Sequence, residues 1–98
     1  MSLSDLQVST IQNISRGGCS FFSNASYNLE ERLHIEIKFP SLREPMKFLG
    51  IVKRCEFNKE HKISPYYIGV QFTEMDEAKK NIFFQTLDFF LGKQGSGN

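Results

Sequence analysis

Leu33, Ile35, Ile37 and Phe39 alternate with His34, Glu36 and Lys38, and Pro40 ends the run. A period of two sends alternate side chains to opposite faces, so this stretch reads as a half-buried strand, apolar inward and polar outward. Proline has no amide to give to a ladder and stops it. His34 lies on the polar face and reads as a surface histidine. Four other runs have extended character. Leu6 and Val8 alternate with Gln7 and Ser9, and Ile11 follows after a phase slip that suggests a bulge. Further on, Cys19 and Phe21 face away from Ser20 and Phe22. Residues 46–57 are apolar on both sides, with Phe48 and Val52 opposed to Leu49, Ile51, Cys55 and Phe57, as in a barrel strand bent at Gly50. Tyr66, Ile68, Val70 and Phe72 alternate with Tyr67, Gly69 and Gln71. The connections at 23–31, 41–45 and 58–64 are too short for a crossover, which predicts antiparallel pairing throughout. His61, in the last of them, reads as solvated.

The sixth run has a helical period. Thr73 is the expected N-cap, Asp76 and Glu77 lie in the first turn, and the helix is expected to reach about Leu91 and stop at Gly92. At about 100° per residue, Met75, Ala78, Ile82, Phe83, Phe89 and Phe90 share one broad face, with Leu87 at its edge. Phe84 and Leu91 fall away from that face. They are either the apolar back of a helix that caps the sheet or an interface with a protein partner or another domain. The predicted class is mainly β: a small antiparallel β-barrel or strongly curled sheet with one C-terminal α-helix over an opening.

With 98 residues the chain has room for one domain and one core, and 40% hydrophobic residues with 10 Phe mark it as globular. A formal net charge of +1 gives no broad pull toward nucleic acid or membranes. No apolar run approaches the ~20 residues of a membrane-spanning helix and no signal-peptide pattern is present, so a cytoplasmic location is expected. Cys19 and Cys55 have no neighbouring ligands for a metal; two buried thiols are expected, with a disulfide as the alternative. No Ser–His–acid, Cys–His or paired-carboxylate spacing is visible, so neither an enzyme nor a cofactor is expected. Residues 1–4 read as a start or cloning remnant that frays, and 93–98 as a flexible tail.

Between the first two strands lies Asn13-Ile14-Ser15-Arg16-Gly17-Gly18. Asn and Ser bond to nearby backbone and hold irregular turns. The glycine pair allows positive φ and close approach of another group. An amide, a hydroxyl and bare backbone N–H groups on one small surface can receive an anionic ligand. The plainer reading is a turn that only joins two strands.

The stretch Asn13–Phe21 resembles the [Asp/Asn]-x-Ser-x-x-Gly motif of PilZ domains. Tyr67-Ile68-Gly69-Val70-Gln71-Phe72-Thr73-Glu74-Met75-Asp76 is similar to the segment leading into that family's C-terminal helix, and Leu33–Pro40 to its central strand. The resemblance covers residues 6–91 and implies a PilZ-like domain over 5–92, with a six-stranded barrel and a C-terminal helix. It also implies a bacterial receptor or adaptor for cyclic di-GMP, which relays the signal to a protein partner. By motif match Asn13, Ser15 and Gly18 would form the turn side of a ligand site, with Arg16 and Gly17 between them in the turn and Gly69 added from the last strand. The family's Arg-x-x-x-Arg, which supplies cations upstream of the first strand, has no counterpart, since residues 1–15 contain neither Arg nor Lys. There is no room before Leu6 for the family's first strand either. The sequence either starts after those elements or is a variant that lost them. Arg16 is the nearest substitute cation, and Arg54 could serve if its strand passes beside the site. Two functions are therefore expected of such a chain: a cyclic di-GMP receptor, or a scaffold that lacks the arginine clamp and acts through protein contacts alone. An open barrel edge would favour homo-oligomers.

Overall fold

The computed structural model describes Ser4–Val8 by its backbone and residues 11–89 in full. Six strands form one sheet: β1 (Ser4–Val8), β2 (Asn13–Ile14), β3 (Gly18–Ser23), β4 (Arg32–Ile37), β5 (Met46–Phe57) and β6 (Tyr66–Phe72). One helix follows, α1 (Glu77–Leu87). The spatial order is β1-β4-β5-β6-β3-β2. The expected class holds, with two differences. The first predicted strand is two strands, and they occupy opposite edges of the sheet. The pairing is not wholly antiparallel either: β1 runs parallel to β4, with Leu6 opposite Ile35. Connection length is no guide here because β1 pairs with the third strand after it, and the intervening stretch with β2 and β3 serves as the crossover. Among the described residues no ladder joins β1 to β2, so the six strands form an open sheet and not the closed barrel that the resemblance implies.

The inner face is apolar as the alternation predicts. Leu33, Ile35 and Ile37 from β4 are buried with Phe48 and Val52 from β5, Ile68, Val70 and Phe72 from β6, and Cys19 and Phe21 from β3. Gly50 does not bend β5. It stays in register with Leu33 and Phe72, and a Cβ there would strike the Val70 side chain, so glycine is needed for close packing. The bend is a bulge between Val52 and Arg54. It explains the mixed phase of the run: Met46, Phe48, Gly50 and Val52 face inward, and after the extra residue Cys55 lies inward while Arg54 and Glu56 are exposed. The loop before β4 braces the bulge. Glu30 donates its backbone N–H to the Val52 carbonyl at 2.7 Å, and the Val52 N–H donates to the Glu31 carbonyl at 2.9 Å. The ammonium of Lys53, the bulged residue, reaches the Glu30 carboxylate at 3.0 Å. Glu30 has a φ of 70°, a left-handed conformation uncommon outside glycine.

The helix starts later than expected. Thr73 still belongs to the sheet, because its N–H and its hydroxyl both donate to the Leu49 carbonyl, at 2.8 and 3.0 Å. Asp76 is the N-cap, and its carboxylate accepts from the Lys79 amide at 2.7 Å. Met75 therefore precedes the helix and carries no information on its phase. The buried face is Phe83, Thr86 and Leu87, while Ala78, Ile82 and Phe89 are exposed. The face is thus turned by roughly 70° from the expected one, with Phe83 common to both. Phe83 is fully buried, with its ring centroid 4.8 Å from Phe48, 5.6 Å from Phe72 and 6.3 Å from Phe39. Phe90, Leu91, Gly92 and the 93–98 tail lie outside the described residues, as do residues 1–3.

Both cysteines are free thiols. Burial pushes the Cys19 thiol up to about 12, whereas Cys55 is only half-buried. A thiol reagent at pH 8 should therefore label one cysteine rapidly in the native chain and two in denaturant; equal native rates would contradict this packing. Phe83→Ala should cost about 3–5 kcal/mol in denaturant unfolding. Ile63→Ser, at a side chain 87% exposed, should stay within about 0.5 kcal/mol of the parent.

Candidate functional site

The Asn13–Gly18 stretch is the hairpin between β2 and β3, closed by the Ser15 N–H donating to the Gly18 carbonyl at 2.9 Å. The Ser15 hydroxyl accepts from the Gly17 N–H at 3.3 Å and lies 3.5 Å from the Gly18 carbonyl oxygen. The Phe72 N–H donates to the Gly17 carbonyl at 2.8 Å, which ties the turn to the end of β6. None of the described glycines has positive φ. The expected cradle of bare N–H groups is therefore not formed here: two of those N–H groups are spent inside the turn, and the left-handed residue that such a cradle uses is missing. Glycine is needed at 18 for a different reason. A Cβ there would run into the Val70 carbonyl oxygen, so β3 could not lie against β6. At Gly17 a Cβ would meet open space.

Other groups line up beside this turn. Across the outward face of the sheet, Asn13 pairs with Ser20, Ser20 with Gly69, and Gly69 with Arg54. Asn13 and Gly69, far apart in sequence, thus fall in one row, and the row ends on Arg54. The bulge is responsible: Val52 faces Val70, and without an extra residue Lys53 would face Gly69. The stem of Arg54 lies over Gly69, where a Cβ would sit 3.1 Å from the Arg54 Cβ. One step along the strands, the next outward row is Phe22, Tyr67 and Glu56. The Tyr67 hydroxyl donates to Ser20 Oγ at 2.7 Å, joining the two rows. Arg54 donates from Nε to Glu56 Oε2 at 2.8 Å and from Nη2 to Oε1 at 3.1 Å, and its guanidinium lies 5.2 Å from the Tyr67 ring centroid. His61 is exposed as expected but stacks on Phe22, with ring centroids 3.9 Å apart.

Arg16 points toward the helix. It reaches Asp88 at 3.4 Å, and its guanidinium sits 4.4 Å over the Phe84 ring. Phe84 is half-buried and packs against the core, so part of its surface is already covered within this chain. Leu91, the other predicted interface residue, lies outside the described residues. The structure thus brings Asn13, Gly69 and Arg54 into one row beside the Ser15–Gly18 turn and draws Arg16 to the helix end. Ser20, Glu56, Tyr67 and Asp88 were not foreseen. Outward alternation could have singled out Ser20 and Tyr67, but only the register places them together. Among the described residues no three His, Cys, Asp or Glu side chains are grouped to hold a metal ion.

Hydrogen bonding from Arg54 holds the Glu56 carboxyl below its usual range, and the same contact raises the Arg54 guanidinium. A carboxyl depressed in the folded state keeps its ion pair above its ordinary pKa and loses it as pH falls through the lowered value. An NMR titration of the Glu56 carboxyl should give a midpoint below that of a free glutamate. In Arg54→Ala the midpoint should move back up; an unchanged midpoint would exclude the pair in solution.

A family model described as the PilZ domain matches residues 2–88. No match was found among curated proteins or solved structures. That match spans the whole sheet and the helix to its C-cap and includes the Asn13–Gly18 hairpin; this chain belongs to the PilZ domain family.

Proposed function

We propose that the chain is a bacterial, cytoplasmic signalling module that binds cyclic di-GMP and relays its presence to a protein partner. PilZ domains are binding and adaptor domains of a cyclic di-GMP receptor family, not enzymes. The observation that carries the reading is the alignment of Asn13 with Gly69 and Arg54 on the outward face next to the Ser15–Gly18 turn. Arg54 answers the absence of cations in residues 1–15. It places a planar donor fork on the same outward face as the motif, three strands across from Asn13 and held to Glu56, suited to a phosphate or to the O6/N7 edge of guanine. Arg16 supplies a second cation once a ligand draws it from Asp88. The ligand is a regulatory one, and no cofactor enters the proposal.

A second reading, a scaffold acting through protein contacts, is favoured by the exposed apolar side chains of α1 and its end, Ile82 at 49% and Phe89 at 54%. On either reading a partner would meet the helix side of the molecule, and a second copy of the chain is one candidate.

Calorimetric titration of this chain with cyclic di-GMP tests the first reading. Micromolar binding is expected, weakened about tenfold or more in Arg16→Ala by loss of one charge-assisted bond of about 1.5–3 kcal/mol. Ser15→Ala should also weaken it, because the hydroxyl shapes the turn. An absence of heat at millimolar ligand would leave the scaffold reading standing.

A further inference from the structure

Beyond the turn, one corner of the outward face combines groups that the family motif does not include. Arg54 and Glu56 project from alternate positions of β5, held to each other by two hydrogen bonds. Tyr67 lies beside them on β6, and Phe22 beside Tyr67 on β3, with ring centroids 5.0 Å apart. A shallow depression of 320 Å³, lined by Phe22, Glu56, Phe57, Asn58 and Tyr67, opens next to the pair. That is at the small end for ligand pockets, about 300–1,000 Å³. We propose that this corner is a guanine-reading subsite, an inference that rests on the nucleotide reading above and names the residues that recognise the base.

The chemistry is complementary edge by edge. Guanine offers two acceptors, O6 and N7, to a planar bidentate donor, and Arg is the side chain of that shape. Its neighbouring edge offers two donors, N1–H and the N2 amine, which a carboxylate accepts. Adenine reverses the pattern at position 6 with an amine and has no proton on N1. An Arg–Glu pair therefore favours guanine over adenine, and each partner keeps the other charged while the base is absent. The half-buried ring of Tyr67 provides a stacking surface, which by itself accepts any base, and Phe22, itself stacked on His61, walls the depression beside it. Gly69 contributes by lacking a side chain: the Arg54 stem lies flat on the sheet at that point and its guanidinium is directed toward Tyr67. From Gly18 to Phe22 is four residues along β3, about 13 Å at the rise of an extended strand. A ligand with phosphate at the turn can thus lay one base toward this corner.

The test is an amide-resolved NMR titration of the chain with cyclic di-GMP, 5′-GMP and 5′-AMP in turn. Both guanine nucleotides should shift the Glu56 and Tyr67 amides, and 5′-AMP should bind there at least tenfold more weakly. Arg54→Ala and Glu56→Gln, both at exposed positions that the fold tolerates, should each weaken 5′-GMP about tenfold or more while cyclic di-GMP still shifts the Ser15–Gly18 amides. If cyclic di-GMP moves only the turn amides, the receptor reading stands and the subsite is overturned. If 5′-GMP moves Glu56 and Tyr67 but cyclic di-GMP does not bind, the subsite stands and the receptor reading fails. Equal responses to 5′-GMP and 5′-AMP, no response to either, or unchanged 5′-GMP binding in both variants would also overturn the subsite.

Discussion

Phe83 is the contact on which the inner architecture depends. An open sheet with one apolar face must have that face covered, and β4, β5 and β6 fill theirs with aliphatic and phenyl side chains. Phe83 enters between Phe48, Phe72 and Phe39 and is fully buried there. Offset and edge-to-face contacts of this kind add to the burial of the rings themselves. The docked helix then brings its C-terminal end to the β2–β3 turn, where Asp88 and Phe84 meet Arg16. The packing of one phenyl ring thereby fixes the surroundings of the candidate site from below.

Strands with clean alternation were legible in the sequence. Leu33–Phe39 and Tyr66–Phe72 carry a period of two because one face is buried and the other wet, and the residues read as inward from these runs are those found inward. Three features were not legible, each because it depends on contacts across the sheet. The bulge at Lys53 leaves only a mixed phase in one dimension, which a bend at Gly50 would produce equally well. Composition points to Thr73 as the N-cap, although that residue is held in the ladder by the Leu49 carbonyl. The parallel pairing of β1 with β4 has no local signature.

The candidate site divides in the same way. Asn13, Ser15 and Gly18 could be singled out because a turn has residue preferences that survive in a single sequence. What each does there could not be read off. Gly18 is required for the approach of β6 rather than for backbone freedom, and Ser15 spends its hydroxyl on the turn. Arg54 illustrates the limit best. Two residues from its neighbour Glu56 and fifteen from Gly69 in the chain, it becomes a member of the site solely through a one-residue shift in register.

The two edges of the sheet come from neighbouring stretches of chain, Ser4–Val8 at one border and Asn13–Ile14 at the other. Most sheets guard their borders with unrelated strands that loosen independently. In this chain a single N-terminal strap guards both. A fluctuation that lifts the strap would bare the outer hydrogen-bonding groups of β4 and β3 together, leaving β3-β6-β5-β4 as a four-stranded inner unit. The motif hairpin hangs on that strap, so a ligand holding Asn13 in place would also act as a clasp, slowing amide exchange along strands it never touches.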